Sequence, residues 1–320
     1  MAGANAIDTS TPNPPLIVLT GPTATGKTAA AIRLAAELPV EIINGDSRLF
    51  YRGMDIGTAK PTREERTVVP HHLIDTLDPT ETMTVARFQD EVYALIEEIH
   101  DHHRLPVLVG GTQQYINAVI EGWRIPRVPP EPALRARLQQ EADEHGRDYL
   151  LARLRALDPD AAAPIGSNLR RIIRALEVIE VTGRPVSEQQ GKTEVPFAPL
   201  LIGLTMPRDL LYERIDRRVE EMLDAGLIDE VRALLHAGVP EDAPALSSIG
   251  YRQVLPHLHA EAAVEEVAEH IRNDTHRLVR HQQTWLRKSA GLVEIDVSSE
   301  GWFERLRDHI ARHIARHRVP

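Results

Sequence analysis

Leu16-Ile17-Val18-Leu19-Thr20-Gly21-Pro22-Thr23-Ala24-Thr25-Gly26-Lys27-Thr28 is a short apolar run that ends in a glycine loop and opens into an Ala/Leu-rich stretch stopped by Pro39. Residues 16–19 predict a buried strand and residues 28–38 a helix. Between them lies the G-x-x-x-x-G-K-[ST] spacing of a phosphate-binding P-loop, in the strand–loop–helix setting such a loop needs. The chemistry explains the spacing. Glycines let the backbone wrap a phosphate group, the first amides of the helix hydrogen-bond its oxygens, and Lys27 neutralises its charge. Thr28 is placed to hold or orient Mg2+.

Working outward, residues 40–43 and 107–109 read as further buried strands, with a helix over 84–100 between them. Residues 200–204 and 292–297 add two more strands. Strands alternating with helices predict an α/β fold, a P-loop NTPase-like core with a mainly parallel sheet, and ligands at the carboxyl ends of the strands. Gly21, Asp46 and Gly110 all follow such ends. The alternation stops between two proline-rich hinges, Ile125-Pro-Arg-Val-Pro-Pro-Glu-Pro132 and Val195-Pro-Phe-Ala-Pro199. Inside, residues 133–157 and 169–181 carry helical periodicity only, which predicts a small all-helical insertion over 123–199. The core is then discontinuous, 16–122 and 200–320, preceded by a disordered tail over 1–15. After Pro207, helices are predicted over 210–225, 228–236 and 264–287.

Composition narrows the function classes. With 42% hydrophobic and 26% charged residues, the chain is that of a packed globular protein. It has no cysteine, which excludes disulfides and Cys-ligated metals. The first fifteen residues lack the basic start and apolar run of a signal peptide, and no apolar stretch approaches the ~20 residues of a membrane-spanning helix. A cytoplasmic protein with no membrane attachment is expected. A net charge of -10 argues against a generic nucleic-acid coat, so any RNA must meet local basic patches.

A P-loop is the usual mark of nucleotide and ATP binding, but this chain is short of parts for phosphoryl transfer. The strand Leu105-Pro-Val-Leu-Val109 ends in Gly110-Gly-Thr112, without the aspartate that many such enzymes use on Mg2+. The acid lies elsewhere, in Asn44-Gly-Asp46-Ser47 after the second strand. Asp46 has two readings: a base that takes a proton from an incoming nucleophile, or a helix N-cap.

Several motifs together carry a resemblance. Beside the P-loop and Asp46-Ser47 stand Tyr51-Arg-Gly-Met-Asp-Ile-Gly-Thr-Ala-Lys-Pro61, Gly110-Gly-Thr112 with Tyr115, and Arg170-Arg-Ile-Ile-Arg-Ala-Leu-Glu-Val178. Ile249-Gly-Tyr-Arg-Gln253 and Gln283-Thr-Trp-Leu-Arg287 complete the set. In order and spacing, from about residue 16 to 288, these resemble the bacterial tRNA dimethylallyltransferases.

The resemblance implies transfer of a dimethylallyl group from dimethylallyl diphosphate to the N6 amine of adenine 37 in tRNA, beside the anticodon. It implies that Gly21, Thr23, Ala24, Thr25, Gly26, Lys27 and Thr28 hold the diphosphate, and that Asp46, Thr112 and Arg218 are catalytic. Asp46 would be the general base, with Thr112 and Arg218 on the diphosphate. The anticodon stem-loop would meet Asp46, Ser47, Arg48 and Leu49, then Arg170, Arg171 and Arg174, then Ser248, Gly250, Tyr251 and Arg252. Mg2+ is the implied cofactor, with Thr28 its ligand, and a monomer is expected. The target adenine must be turned out of its stack to reach such a pocket.

Some residues depart from the family pattern. Gln113 follows Gly-Gly-Thr where a small residue is usual, Arg48-Leu49 follow Asp-Ser in place of a Met-Gln-like pair, and Gly166-Ser-Asn-Leu169 lacks a Pro-Asn-Asp-like turn. Between Ile271 and Lys288 five Lys/Arg face one acid, Asp274, but His276 and His281 replace arginines common in the family. Those histidines predict tRNA affinity that weakens from pH 6 to 8. His309, His313 and His317 share a helical face crowded by Arg312, Arg316 and Arg318, which reads as a solvated helix in preference to a metal site.

Two other readings remain on the sequence alone: a P-loop kinase acting on a small metabolite, which ATP turnover would reveal, and a nucleotide-gated RNA-binding protein, in which Asp46 would have no task.

Overall fold

The computed structural model describes residues 13–317. The chain divides into two compact units: a core made of residues up to Ile116 and from Pro196 onward, and a second unit, Asn117–Val195. The division falls at 117 and 195, in place of the expected 123 and 199.

In chain order, the first part of the core comprises β1 (Pro15–Thr20), α1 (Lys27–Ala35), β2 (Val40–Asn44), α2 (Arg63–Val68), β3 (His71–His72), α3 (Val85–Asp101), β4 (Leu105–Val109) and α4 (Gln113–Ile120), whose last turn enters the second unit. That unit continues with β5 (Trp123–Arg124), α5 (Pro132–His145), α6 (Arg147–Leu157), α7 (Pro159–Ile165), α8 (Leu169–Thr182), α9 (Val186–Gln189) and β6 (Gly191–Lys192). The core resumes with β7 (Ala198–Thr205), α10 (Arg208–Asp224), α11 (Leu227–His236), α12 (Tyr251–Leu258), α13 (Val264–Leu286), β8 (Val293–Asp296) and α14 (Trp302–His317). Pro15 is therefore strand, not tail, and the Pro14 carbonyl accepts from the Ala198 amide at 2.8 Å; residues 1–12 of the expected tail lie outside the described residues, as does Arg318.

Six strands form one parallel sheet in the order β3-β2-β4-β1-β7-β8. Central β1 is flanked by β4 and β7, with Ile17 opposite both Val107 and Leu200. A parallel sheet is covered on both faces, which is why β1 reads as an unbroken apolar run. On one face Ala31 and Leu34 of α1 and Phe303, Leu306 and Ile310 of α14 pack on Ile17, Leu19 and Val107. α3 buries Phe88, Val92, Ile96 and Ile99, and each such side chain stabilises the fold by about 1.5–3 kcal/mol. The charged residue buried in these strands, Glu41, lies beside His72 Nε2 at 2.6 Å and Arg104 at 3.6 Å.

The second unit has its own core, with Leu138, Leu150, Leu154, Ile172 and Leu176 wholly buried. It is not all helical: β5 and β6 pair antiparallel, Trp123 opposite Lys192. The helix expected over 133–157 is two helices, split at Gly146, which stands at φ 84° and donates its amide to Ala142. Wholly buried Glu177 in α8 is paired with Arg135 at 2.8 Å and Arg174 at 2.6 Å, which holds its carboxyl down at about 2 although burial opposes the shift.

Among the described residues no helix is long and apolar enough to cross a membrane.

Candidate active site

Three loops meet at the carboxyl ends of β1, β2 and β4. The P-loop after β1 is fixed by two close approaches. A Cβ on Gly21 (φ 145°) would lie 2.4 Å from the Leu204 carbonyl of β7, and Gly26 (φ 83°) turns the chain into α1. Ala24 also stands at positive φ, 64°, a conformation that costs a non-glycine residue about 1–2 kcal/mol. Thr25 is buried, and its hydroxyl donates to the Pro22 carbonyl at 2.9 Å, so it shapes the loop. The amides of Gly26, Lys27 and Thr28 have no protein acceptor among the described residues and form an anion cradle at the start of α1. Lys27 Nζ donates to Gly21 O at 3.0 Å and Pro22 O at 2.8 Å.

Asp46 is held by its backbone. Buried Asn44 accepts from the Asp46 amide at 2.8 Å and donates to its carbonyl at 3.0 Å and to Leu73 O at 2.9 Å. Asp46 Oδ1 accepts from the Arg48 amide at 2.9 Å, closing a turn; no helix begins there, so the N-cap reading falls. The β2 and β4 loops touch so closely that a Cβ on Gly110 would lie 2.2 Å from the Gly45 backbone. This contact joins Thr112 to Ser47: the Ser47 amide donates to Thr112 Oγ1 at 2.9 Å and that hydroxyl donates to Ser47 Oγ at 3.2 Å. Behind the loops Phe88 stacks on Tyr115 at 4.6 Å, whose hydroxyl donates to Met83 O at 2.6 Å and is pushed up to about 12 by burial.

These loops border a cavity of about 460 Å3. Thr23, Ala24, Lys27, Asp46, Ser47 and Arg48 line it, with Thr112 and Gln113 from the β4 loop, Arg218 from α10, and Ser248, Gly250 and Arg252 around the start of α12. Its apolar wall is Ile215, Val219, Met222, Ile271 and Leu278. Burial pulls the Lys27 ammonium down to about 8, Asp46 pulling the other way and Arg218 adding to the fall. Arg218 is also lowered, first by burial, with Asp46 and Glu221 opposing. Lysine, aspartate and arginine thus share one electrostatic neighbourhood. Among the described residues the Arg218 guanidinium makes a single long hydrogen bond, from Nη2 to Thr58 O at 3.4 Å, which leaves most of its donors for an anion. Arg214 reaches only Ala24 O, at 3.5 Å.

Other predicted residues fall elsewhere. Leu49 does not reach the cavity. Tyr251 is wholly buried and its hydroxyl donates to Glu230 at 2.5 Å, so it has no face for RNA. Ser248 lines the cavity, but its hydroxyl is buried and spent on Ala245 O. Arg252 is paired with Asp274. In the second unit Arg170 and Arg171 are exposed, with no ion-pair partner among the described residues, whereas Arg174 is tied to Glu177 and Val128 O. Asn168 caps α8 by accepting from the Arg171 amide at 3.2 Å, so the helix start is secured despite its unusual turn. The His276 side chain is only 18% exposed, stacked on Tyr212 at 3.9 Å, and 3.0 Å from Asp216 outside hydrogen-bond geometry. It cannot act as a solvent-facing phosphate ligand, and His281 alone remains exposed. His313 is spent on Ala198 O at 2.9 Å.

The sequence reading missed Gln282. Buried in α13, it accepts from the Thr23 amide at 2.9 Å and donates to Gly111 O at 3.3 Å, bridging the P-loop to the β4 loop. The signal was present: Ile271, Thr275, Leu278 and Gln282 all line the cavity at helical spacing.

The chain is similar to known proteins over most of its length. The family model described as IPP transferase matches residues 49–289. The tRNA dimethylallyltransferase of Thermomicrobium roseum is 50% identical over 299 residues, 93% of this chain and 91% of the relative. That of a Roseiflexus species is 51% identical over 282 residues, 88% and 92% of the two chains. Among solved structures, the full-length tRNA isopentenylpyrophosphate transferase of Bacillus halodurans superposes with a TM-score of 0.71 at 40% identity, covering 95% of this chain and 97% of its own. A eukaryotic dimethylallyltransferase, described as acting on tRNA, gives a TM-score of 0.79 at 26% identity, over 96% and 81%.

Proposed function

This chain belongs to the IPP transferase family, and from that premise we propose how its residues carry out the family's reaction. The protein is a tRNA dimethylallyltransferase. It moves the dimethylallyl group of dimethylallyl diphosphate to N6 of adenine 37 of tRNA, giving N6-isopentenyladenosine and diphosphate. The C1–O bond to the diphosphate breaks and its electron pair leaves with the diphosphate. N6 bonds to C1, and the proton it sheds passes to the Asp46 carboxylate.

An allylic carbon tolerates developing positive charge, so the protein's work is to stabilise the leaving diphosphate and aim the amine. Lys27, the open amides of residues 26–28 and Arg218 receive the diphosphate. Thr112 lines the same cavity, and its hydroxyl would exchange the bond it donates to Ser47 Oγ for one to the diphosphate. The apolar wall of Val219, Met222 and Leu278 takes the five-carbon tail. Thr28, whose hydroxyl has no protein partner among the described residues, is a hard oxygen donor that fits Mg2+. Thr28 would hold the ion, which adds positive charge against the leaving group. Arg48, Arg252 and the exposed pair Arg170 and Arg171 meet the anticodon stem-loop, whose adenine enters the cavity turned out of its stack. The protein is proposed to act as a monomer, and a tRNA substrate supports a cytoplasmic place of action.

The observation that carries this reading is the convergence of Asp46 with Lys27 and Arg218 on one cavity with an apolar wall. Asp46→Asn keeps the Arg48 turn but cannot take the proton. Single-turnover transfer should slow at least a hundredfold with tRNA affinity within about threefold of the parent, since a positioned base contributes roughly 10²–10⁴. Full activity in Asp46→Asn would remove the base assignment.

A further inference from the structure

Glu230, on α11, does not itself line the active-site cavity, yet it accepts four hydrogen bonds. Its Oε2 accepts from the amides of Asp55 at 2.9 Å and Ile56 at 2.8 Å. Its Oε1 accepts from the Gly57 amide at 3.2 Å and from the Tyr251 hydroxyl at 2.5 Å. Burial, and then Glu230 itself, push the Tyr251 hydroxyl well above its usual range, so it remains a donor. The Tyr251 ring also presses on the loop: a Cβ on Gly57 would lie 2.4 Å from it, so only glycine fits.

What this clamp holds is a wall of the active-site cavity. Gly57 and Thr58 line it, and the Thr58 carbonyl is the acceptor of the Arg218 guanidinium. The loop is pinned again beyond Thr58, where buried Lys60 donates to Tyr51 O at 2.8 Å, Asp55 at 2.6 Å and Asp75 at 2.5 Å. A carbonyl with anchors on both sides cannot drift, and a guanidinium with one protein hydrogen bond takes its direction from that carbonyl and its packing. Three consecutive amides and a phenol converging on one carboxylate is more than loop closure needs.

We propose that Glu230, with Tyr251 as its partner, is a positioning residue for Arg218: it fixes the 55–58 loop so that the Thr58 carbonyl aims the guanidinium at the departing diphosphate. Within Ile249-Gly-Tyr-Arg-Gln253, Tyr251 therefore acts from inside the protein and serves the diphosphate end of the site. The proposal rests on the assignment of Arg218 to the diphosphate.

The test is a double-mutant cycle in the full chain. Glu230→Gln replaces one acceptor oxygen by a donor facing amides, and Arg218→Ala removes the group it is held to aim. Two readouts are used: kcat and KM for prenyl transfer, and calorimetric binding of inorganic diphosphate, which needs no transfer chemistry. Glu230→Gln should lower kcat tenfold or more and weaken diphosphate binding several-fold, with the KM for tRNA unchanged within twofold. In the Arg218→Ala background the same substitution should change either readout less than twofold. Tyr251→Phe, which deletes one buried hydroxyl and is mild for folding, should reproduce a smaller effect with the same non-additivity. Equal effects of Glu230→Gln with and without Arg218, or parent-like diphosphate binding in both Glu230→Gln and Tyr251→Phe, would overturn the proposal. If the parent binds diphosphate but transfers no prenyl group, the functional reading fails and the cycle on diphosphate binding still decides this one.

Discussion

Gln282→Leu isolates a bridge between two loops that must keep register during the reaction. The substitution preserves volume and apolar packing and removes two hydrogen bonds, 2.9 Å from the Thr23 amide and 3.3 Å to Gly111 O. An ordinary hydrogen bond contributes about 0.5–1.5 kcal/mol net, and a buried partner left unsatisfied costs about 1–3 kcal/mol. Thr23 sits at the cavity edge, where water can replace the glutamine, but Gly111 is buried. The expected loss is therefore about 2–3 kcal/mol, most of it from the Gly111 side. In a chain of this size that lowers the melting temperature by roughly 5 °C. The assay is thermal unfolding beside the KM for dimethylallyl diphosphate, which should rise as Thr23 and Thr112 lose their common reference. Gln282→Glu is the companion: it keeps the acceptor for Thr23 but points a carboxylate at a carbonyl and toward the diphosphate, so its KM should rise further than that of Gln282→Leu. A Gln282→Leu protein that melts within 1 °C of the parent with unchanged KM would refute the reasoning.

Donor affinity should also depend on pH in the alkaline range. Lys27 titrates near 8 in the free protein, and a bound diphosphate raises it, so binding takes up a proton above that pH. Affinity should be flat below about pH 7 and fall up to tenfold per unit above about 8; an affinity constant to pH 9.5 in direct titration would contradict it. In the second unit, Arg170→Ala plus Arg171→Ala should weaken tRNA binding and reduce its log–log salt slope by about 1–2, since each phosphate contact contributes close to one. Arg174→Ala should instead lower stability by about 1–3 kcal/mol, because it removes one of the two arginines on a wholly buried carboxylate that Arg135 still holds; a changed salt slope with no loss of stability would reverse these roles.

The strand, P-loop and first helix could be read from sequence because glycines, lysine and a proline stop each impose a local geometry. The long parallel strands were equally plain, as apolar runs buried on both faces. Two-residue β3, β5 and β6 were not, since a pairing that short is set by what lies beside it and leaves no period. Gly146 was hidden inside a continuous helical pattern that it divides at a positive φ. At the site, Asp46, Lys27 and Thr112 were legible because motif and strand end coincide. Gln282 was not, because a lone glutamine in a polar helix looks like surface until its helical face is traced to the cavity. Tyr251 erred the other way: a polar, turn-flanked tyrosine looked like a recognition residue, and its partner, Glu230, lies 21 residues distant in sequence. His276 shows the same limit, since nothing local announces its stack on Tyr212.

The most direct test of the central claim is transfer of label from dimethylallyl diphosphate to an unmodified tRNA with adenine at position 37, run with Mg2+ beside a matched tRNA with guanine there. The expected result is label in the adenine tRNA alone, released on digestion as N6-isopentenyladenosine, with no ATP consumed. No label in either tRNA, together with ATP turnover on a small acceptor, would contradict it and return the P-loop to phosphoryl transfer.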